Sequence, residues 1–240
     1  SNDDDDEDGY PDTLYTTFPD SAKDCINTDW WDNGRLVEIT FHHKQLTSII
    51  PENIGDLTKL KILMLTGNEL TGEIPDKITN LNNLKILKLN SNNLSGGIPE
   101  NIDALSKIDT LWLNNNNLGC YEYNYECDPY GKSPYCCVSH CDDTNECSRE
   151  IPQSITNLNG LQHLQLQENN LSGFIPEEIG SMDNLKYLYL DNNQLSGEIP
   201  QSIGNLEILR RLYLYNNNLS GEIPSEIGNL TNLLVLNLGS

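Results

Sequence analysis

The segment that decides the fold is "LKILMLTGNELTGEIPDKITNLNN", residues 60–83, because residues 84–107 repeat it as "LKILKLNSNNLSGGIPENIDALSK". In both copies leucine occupies positions 1, 4, 6, 11 and 22, and isoleucine occupies positions 15 and 19. Asn stands at position 9, Gly at position 13 and Pro at position 16. A fixed period of 24 residues predicts a solenoid, in which each repeat buries its apolar side chains only against its neighbours.

The same period extends over most of the chain. Repeats 1 to 8 start at Leu36, Leu60, Leu84, Ile108, Leu161, Leu185, Leu209 and Leu233. Repeat 8 stops after its strand segment "LLVLNLGS", so we expect the natural protein to continue beyond Ser240.

Each position of the repeat has a physical explanation. Positions 4 and 6 alternate as in a short strand, so successive repeats should stack their strands into one parallel sheet. Position 9 lies where the chain turns inward, and an Asn amide there can satisfy buried backbone donors and acceptors of adjacent turns. Proline at position 16 forces the preceding isoleucine into an extended conformation. Short 3₁₀ turns should then complete the convex side. The ladder residues predicted at position 9 are Asn68, Asn92, Asn116, Asn169, Asn193 and Asn217.

The pattern "LxxLxLxxNxLxGxIPxxIxxL" resembles the leucine-rich repeat, and the stretch "LSGEIP" at residues 195–200 and 219–224 resembles its plant-type class. This resemblance implies an α/β fold: a right-handed leucine-rich-repeat solenoid with a parallel concave β-sheet and little true helix. The family includes receptor-like kinase ectodomains and polygalacturonase-inhibiting proteins. The resemblance therefore implies an extracellular module that recognises a ligand on its concave face.

We divide the chain into an acidic, flexible leader at residues 1–20, an N-terminal cap at residues 21–35 and a solenoid at residues 36–240. The segment "DCINTDWWDNGRLVEI" resembles the cap that precedes plant-type repeats, in which Trp30 and Trp31 would cover the first coil. Caps of this family usually carry two cysteines, whereas this one has only Cys25. The partner of Cys25 is left open.

The acidic leader supports two interpretations. The spacing of Asp4, Asp6, Asp8 and Asp12, with Gly9 between the last two, is typical of loops that bind calcium weakly through oxygen ligands. However, Tyr15 occupies the place where such a loop needs a bidentate acid, and a nearly continuous acidic run is more often a solvated linker. Weak calcium binding here is the cofactor hypothesis, and no other cofactor is predicted.

An insertion at about residues 120–150 interrupts repeat 4 between its positions 11 and 15, and the 24-residue frame is kept on both sides. We therefore expect the sheet to continue and the insertion to bulge from one edge as a wall of the ligand site. Its six cysteines predict a disulfide framework with 15 open pairings. A zinc site using Cys136, Cys137, His140 and Cys141 is a weaker alternative. The disulfide residues predicted are Cys120, Cys127, Cys136, Cys137, Cys141 and Cys147.

Composition and sequons limit the location and the partners. The formal charge of -22 disfavours nucleic acid as a partner, and no run of 18 apolar residues predicts a membrane span within this chain. Clustered cysteines and N-glycosylation sequons favour an extracellular or cell-surface protein of the secretory pathway. The candidate glycosylation sites are Asn93, Asn170, Asn218 and Asn229.

Positions 3, 5 and 7 should project from the concave sheet, and aromatic residues collect there in the second half of the chain. Exposed aromatics beside an arginine are typical of binding hot spots, although strand propensity alone also favours aromatics. We predict a site for a protein, peptide or glycan ligand at Trp112, His163, Gln165, Tyr187, Tyr189, Arg211, Tyr213 and Tyr215.

We predict no catalytic residues, because none of the four histidines lies in a motif with a Ser or Cys nucleophile. The leading hypothesis is the ligand-recognition region of a receptor-like or cell-surface protein. A secreted inhibitor or defence protein resembling the polygalacturonase-inhibiting proteins is one alternative. A structural or adhesive repeat protein is the other.

Overall fold

The computed structural model describes residues 31–32, 35–120, 122–123, 137–139 and 149–239. The calcium hypothesis at Asp4, Asp6, Asp8 and Asp12 therefore lies outside the described residues, as do Cys25 and most of the insertion. The leader, cap and solenoid boundaries remain predictions.

Strands of two to five residues recur once or twice in each repeat. In chain order they are β1 Trp31–Asp32, β2 Arg35–Leu36, β3 Glu38–Thr40, β4 Thr47–Ile49, β5 Ile62–Met64, β6 Glu69–Glu73, β7 Ile86–Lys88, β8 Asn93–Ser95, β9 Thr110–Trp112, β10 Glu122–Tyr123, β11 Cys137–Ser139, β12 His163–Gln165, β13 Tyr187–Tyr189, β14 Ser196–Gly197, β15 Arg211–Tyr213, β16 Asn218–Leu219 and β17 Val235–Asn237.

One parallel sheet of eight strands runs the length of the solenoid, in the order β17-β15-β13-β12-β9-β7-β5-β3. Each of its strands covers positions 3 to 5 of one repeat, which confirms the predicted sheet. Smaller parallel sheets form farther along the repeat, from β4, β6 and β8 and from β14 and β16. The sequence analysis did not predict these smaller sheets.

The opposite side of each repeat is made of 3₁₀ turns, as the Ile-Pro pair predicts. They span Glu52–Asp56, Asp76–Asn80, Ile102–Ala104, Gln153–Asn157, Glu177–Ser181, Gln201–Asn205 and Ser225–Asn229. Proline precedes all but one of these turns in an extended or near-extended conformation, for example Pro75 with φ -64° and ψ 136°. Proline fixes the φ angle at this point, so the backbone conformation is restricted where the chain reverses direction.

A single core of leucines and isoleucines fills the space between the sheet and the 3₁₀ turns. Leu63, Leu87, Leu111, Leu164 and Leu188 occupy position 4 and have no solvent exposure. Since each repeat supplies the same side chains, every layer packs on a nearly identical neighbour.

The Asn side chains of position 9 form the predicted ladder. The Nδ2 atom of Asn92 donates to the carbonyl of Leu65 in the preceding repeat at 3.0 Å and to that of Leu89 in its own repeat at 2.9 Å. Its Oδ1 accepts from the backbone N–H of Leu70 at 3.1 Å. The same bonds recur at the other Asn residues of the row, so one buried side chain per repeat fastens two turns together.

The ladder and the sheet both continue across the insertion. Trp112 of β9 pairs with Gln165 of β12, and Asn169 donates to the carbonyl of Leu113 at 3.1 Å although 56 residues separate them. The carbonyl of Cys120 accepts from Gly96 at 2.9 Å, and that of Arg149 accepts from Ser172 at 2.9 Å. The solenoid is therefore continuous from one side of the insertion to the other, as the preserved 24-residue frame predicts.

Position 8 has a left-handed backbone conformation that the sequence analysis did not identify. The φ angle is 58° at Ser91, 55° at Asn115, 56° at Glu168, 54° at Asn192 and 51° at Asn216. Asn tolerates this conformation better than most residues with a side chain. Strand and ladder therefore meet at a tight turn, which explains why asparagine runs extend beyond the ladder position.

We expect Asn169→Ala to lower the free energy of unfolding by roughly 2–4 kcal/mol, because it removes several buried hydrogen bonds and leaves their backbone partners unsatisfied. Urea denaturation followed by circular dichroism measures this. Asn184→Ala is the matched control, since Asn184 makes one exposed bond to the carbonyl of Asn159. Equal stability losses in the two variants would contradict the ladder's structural role.

Candidate functional site

The residues predicted for ligand binding lie on four adjacent strands of the main sheet or directly after them. His163 pairs with Tyr187, which in turn pairs with Arg211. Gln165 pairs with Tyr189 in the same register, and Tyr189 pairs with Tyr213. Because parallel pairing aligns equal repeat positions, these side chains form two rows across the sheet.

Ring contacts hold each row together and Arg211 connects the two rows, forming a surface that we call the aromatic patch. It comprises His163, Tyr187, Tyr189, Arg211, Tyr213 and Tyr215. The rings of His163 and Tyr187 stack with centroids 4.7 Å apart, and those of Tyr189 and Tyr213 stack at 4.9 Å. Tyr215 meets Tyr213 edge to face at 6.3 Å. Stacked, partly exposed rings give a flat and rigid surface that loses little entropy on binding.

Arg211 extends the patch towards solvent. Its guanidinium lies 5.9 Å from the ring centre of Tyr187, and its Nη1 donates to Tyr189 Oη at 3.4 Å. The side chain is exposed, so its charge remains available to a ligand.

Trp112 lies on β9, one strand before the aromatic patch. Its surroundings differ from those of the tyrosines with which it was predicted to form one site. Lys88 Nζ sits 3.5 Å from the centre of the indole ring, a cation–π contact that covers one face of the ring. Burial lowers the pKa of Lys88. Trp112 and Gln165, its strand partner, are both only partly exposed. No stacking contact in the described part of the chain joins Trp112 to the tyrosines.

Buried polar atoms without hydrogen-bond partners concentrate beside Trp112. They are Trp112 Nε1, Asn114 Oδ1 and Gln167 Oε1, all on repeats 4 and 5 of the main sheet or the turn after it. The fourth such atom among the described residues is Oδ1 of Asn53, in a 3₁₀ turn. Unpaired buried polar groups cost free energy, so this part of the sheet gains stability from any polar group that reaches it.

Asp191 occupies position 7, where the sequence analysis expected an exposed side chain, but it is only 4% exposed. Burial raises the pKa of its carboxyl. The hydrogen bonds from Tyr215 and Asn192 lower the pKa, but their effect is smaller than that of burial. Asn192 Nδ2 donates to Asp191 Oδ2 at 2.7 Å and to Tyr215 Oη at 3.3 Å. Asp191 therefore holds the edge of the aromatic patch in place from below.

His163 is partly buried, and this burial lowers the pKa of its imidazole, with Asp109 acting in the opposite direction. At neutral pH the ring is therefore neutral, and it contributes a flat aromatic face rather than a charge.

Sequence reasoning missed two groups of residues at this face. It did not select position 2, where Lys186 and Arg210 flank the patch at the start of the strands. It also did not identify Lys88 as the cation over Trp112. Comparing position 2 across repeats would have found Lys186 and Arg210, because both are basic and neighbour each other.

The other predicted sites are only partly covered by the described residues. Cys120 is fully buried and disulfide-bonded, and the remaining pairings stay open. Asn170 is 6% exposed, which argues against a glycan at that site in the folded chain. Asn218 and Asn229 are exposed, and Asn93 is partly exposed.

Among the residues that the structure describes, no group of three or more His, Cys, Asp or Glu side chains lies close enough to hold a metal ion. No helix in the same residues is both long and apolar enough to cross a membrane. The zinc alternative falls almost entirely outside those residues.

Comparison with protein families agrees with the geometry. A model of the leucine-rich repeat region matches residues 142–240, and a model of the single leucine-rich repeat matches residues 59–81 and 83–105. Together they cover more than half of the chain. The chain is a leucine-rich-repeat protein. Neither family model describes an enzyme, and a search of curated protein sequences found no match.

Among solved structures, this leucine-rich-repeat protein is similar to ectodomains of plant membrane receptors. One is the receptor kinase GASSHO1/SCHENGEN3 of Arabidopsis thaliana in complex with CASPARIAN STRIP INTEGRITY FACTOR 2, with a TM-score of 0.71 and 28% identity over all of this chain and 28% of the other. Another is the Arabidopsis receptor kinase HAESA in complex with the peptide hormone IDA and the co-receptor SERK1, with a TM-score of 0.72 and 32% identity over 86% of this chain and 30% of the other.

A third similar structure is the plant peptide hormone receptor RGFR1 in complex with RGF2, with a TM-score of 0.63 and 38% identity. The match covers 85% of this leucine-rich-repeat protein and 32% of the receptor chain. The chain therefore spans about a third or less of each of these structures.

We expect Asp191→Asn to change the pH dependence of stability. Because the pKa of Asp191 is raised on folding, the folded chain holds this proton more tightly than the unfolded chain. Its contribution is present at low pH and is lost as pH rises through the folded pKa. The Asn variant should therefore gain stability relative to wild type between acid and neutral pH, measured by urea denaturation at several pH values. The exposed Asp183→Asn is the control, and the same trend there would contradict the assignment to Asp191.

Proposed function

We propose that this protein is a binding module that recognises a peptide or a peptide segment of a protein through the aromatic patch. The observation that carries the proposal is the stacking of four rings in two registered rows, His163 on Tyr187 and Tyr189 on Tyr213. Preorganised rings beside an exposed arginine have the composition and rigidity of interface hot spots.

The hydrogen bonds between the strands determine which groups of the sheet a ligand can contact. β13 and β15 are hydrogen-bonded to neighbours on both sides, so their backbone is not available to an added strand. A ligand must therefore contact side chains, and the tyrosine hydroxyls and the guanidinium of Arg211 supply polar contacts among apolar rings.

The comparisons support a peptide ligand over a glycan. Ectodomains with the same fold are described in complex with a peptide hormone or an integrity factor. We extend this to an extracellular or cell-surface setting, for which the disulfide at Cys120 and the exposed sequons at Asn218 and Asn229 are further support. Within that setting the insertion, which follows Trp112 and Asn114 in repeat 4, is the proposed wall of the site.

We expect Tyr189→Ala combined with Tyr213→Ala to weaken peptide binding by about thirtyfold or more, the loss typical when hot-spot aromatics are truncated. The probe is a random peptide library displayed on phage, followed by calorimetry with the selected peptides. Thr40→Ala with Met64→Ala is the matched control, since these residues occupy the same repeat position in two paired strands of the first half.

The control variant should select and bind the same peptides as wild type. Unchanged affinity in the tyrosine variant, or equal losses in both variants, would refute the aromatic patch as the site. Circular dichroism and urea midpoints of all three proteins exclude a loss of fold as the cause.

A further inference from the structure

Basic residues are concentrated on the main sheet, although the protein as a whole is strongly acidic. Only 14 of the residues are Lys or Arg, against 36 Asp or Glu. Six of the basic residues lie at positions 2, 3 or 5 of their repeats, on the strands or directly before them: Lys61, Lys85, Lys88, Lys186, Arg210 and Arg211.

Three of these residues form what we call the basic cluster, Lys186, Arg210 and Arg211. The backbone N–H groups of Arg210 and Arg211 both donate to the carbonyl of Lys186, at 2.8 and 3.3 Å, so the backbones of the three residues are neighbours where β13 and β15 begin. Arg211 also pairs with Tyr187, which belongs to the aromatic patch. The basic cluster therefore borders the rings directly.

Carboxylates do not neutralise the basic cluster within the described part of the chain. Lys186 Nζ donates to Gln162 Oε1 at 2.7 Å, and Arg211 donates to Tyr189 Oη at 3.4 Å. Both partners are neutral, and no described carboxylate forms an ion pair with Lys186, Arg210 or Arg211. Arg210 and Arg211 are exposed and Lys186 is partly exposed, so a ligand can reach these cations.

The exposed carboxylates of the same repeats lie elsewhere. They belong to the 3₁₀ turns and the segments around them: Glu177, Glu178, Asp183, Glu198, Glu207 and Glu222. On the side of the main sheet, Asp191 is buried and Glu168 is the exposed acid, at position 8 beyond the strand end. In repeats 6 and 7, the basic residues therefore lie at the main sheet, whereas the exposed acidic residues lie in or around the 3₁₀ turns.

Resting on the proposed function, we propose that the ligand is an acidic peptide whose carboxylates bind Lys186, Arg210 and Arg211 while its apolar side chains pack on the aromatic patch. Guanidinium groups bind carboxylates through paired, charge-assisted hydrogen bonds. The negative charge elsewhere on the protein repels an acidic peptide, which restricts its binding to this cluster.

The distribution of the cations favours a peptide over an anionic glycan. Position 2 carries Lys61 and Lys85 in repeats 2 and 3, but Asp109 and Gln162 interrupt the row before Lys186. A polyanion with one charge per sugar would be matched by an unbroken row of cations across the repeats. A compact cluster beside the rings instead matches a peptide with acidic residues at one end and apolar ones next to them.

The test uses the random peptide library with two further variants of the whole chain. The first replaces the basic cluster, with Lys186→Gln, Arg210→Gln and Arg211→Gln. The second is the matched control Lys59→Gln, Lys77→Gln and Lys107→Gln, which removes the same charge from exposed positions away from the patch. Calorimetry with the selected peptides and with oligogalacturonate, an anionic glycan, completes the measurement.

Wild type and the control variant should select peptides of net negative charge, and affinity should fall as ionic strength rises. The cluster variant should bind these peptides at least about tenfold more weakly, as expected when charged hydrogen bonds are lost. Equal selection of neutral or basic peptides by wild type, or unchanged affinity in the cluster variant, would overturn the inference. Oligogalacturonate binding that requires the cluster, without peptide selection, would also overturn it in favour of an anionic glycan.

These outcomes separate this inference from the proposed function. If the tyrosine double variant loses binding and the cluster variant does not, the peptide site stands and the acidic ligand is refuted. If neither variant changes peptide binding, both proposals fail together.

Discussion

The Asn ladder is the interaction on which the rest of the structure depends. In each repeat the chain turns inward after its strand, which buries backbone groups that water can no longer reach. One amide, such as that of Asn92, bonds the carbonyls of two repeats and the N–H of the earlier one. Neighbouring strands are therefore held in one register along the chain. Because the ladder bond of Asn169 to Leu113 spans the insertion, the two halves of the sheet have the same geometry.

Constant register is what makes a concave binding face from short strands. Three residues per strand cannot form a surface alone, but Tyr189 and Tyr213 reach stacking distance because their strands pair without a slip. The turn that follows contributes as well, since Asn192 at its left-handed position bonds both Asp191 and Tyr215. The buried Asp191 thus has a positioning role, and burial raises the pKa of its carboxyl.

In the proposed function, the charged side chains of the main sheet make ligand binding selective. The net charge of the protein is -22, whereas Lys186, Arg210 and Arg211 place positive charge beside the rings. The similar receptor ectodomains share the solenoid, but they are about three times longer than this chain or more. In the proposed function, ligand choice depends on the side chains of these particular strands rather than on the fold.

The sequence by itself determined the solenoid, the repeat boundaries, the ladder and the rows of residues on the sheet. A period of 24 residues fixes which side chains share a layer. The residues equivalent to Leu63 or to Asn92 therefore have the same kinds of neighbours in each repeat. It also placed Tyr187, Tyr189, Tyr213 and Arg211 on one face.

Only the tertiary structure decided the burial of Asp191, the lysine over Trp112 and the proximity of Lys186 to Arg210 and Arg211. These features depend on contacts between non-identical side chains of adjacent repeats, which a repeating pattern averages away. Periodicity specifies the backbone, whereas the chemistry of the site arises where the repeats differ.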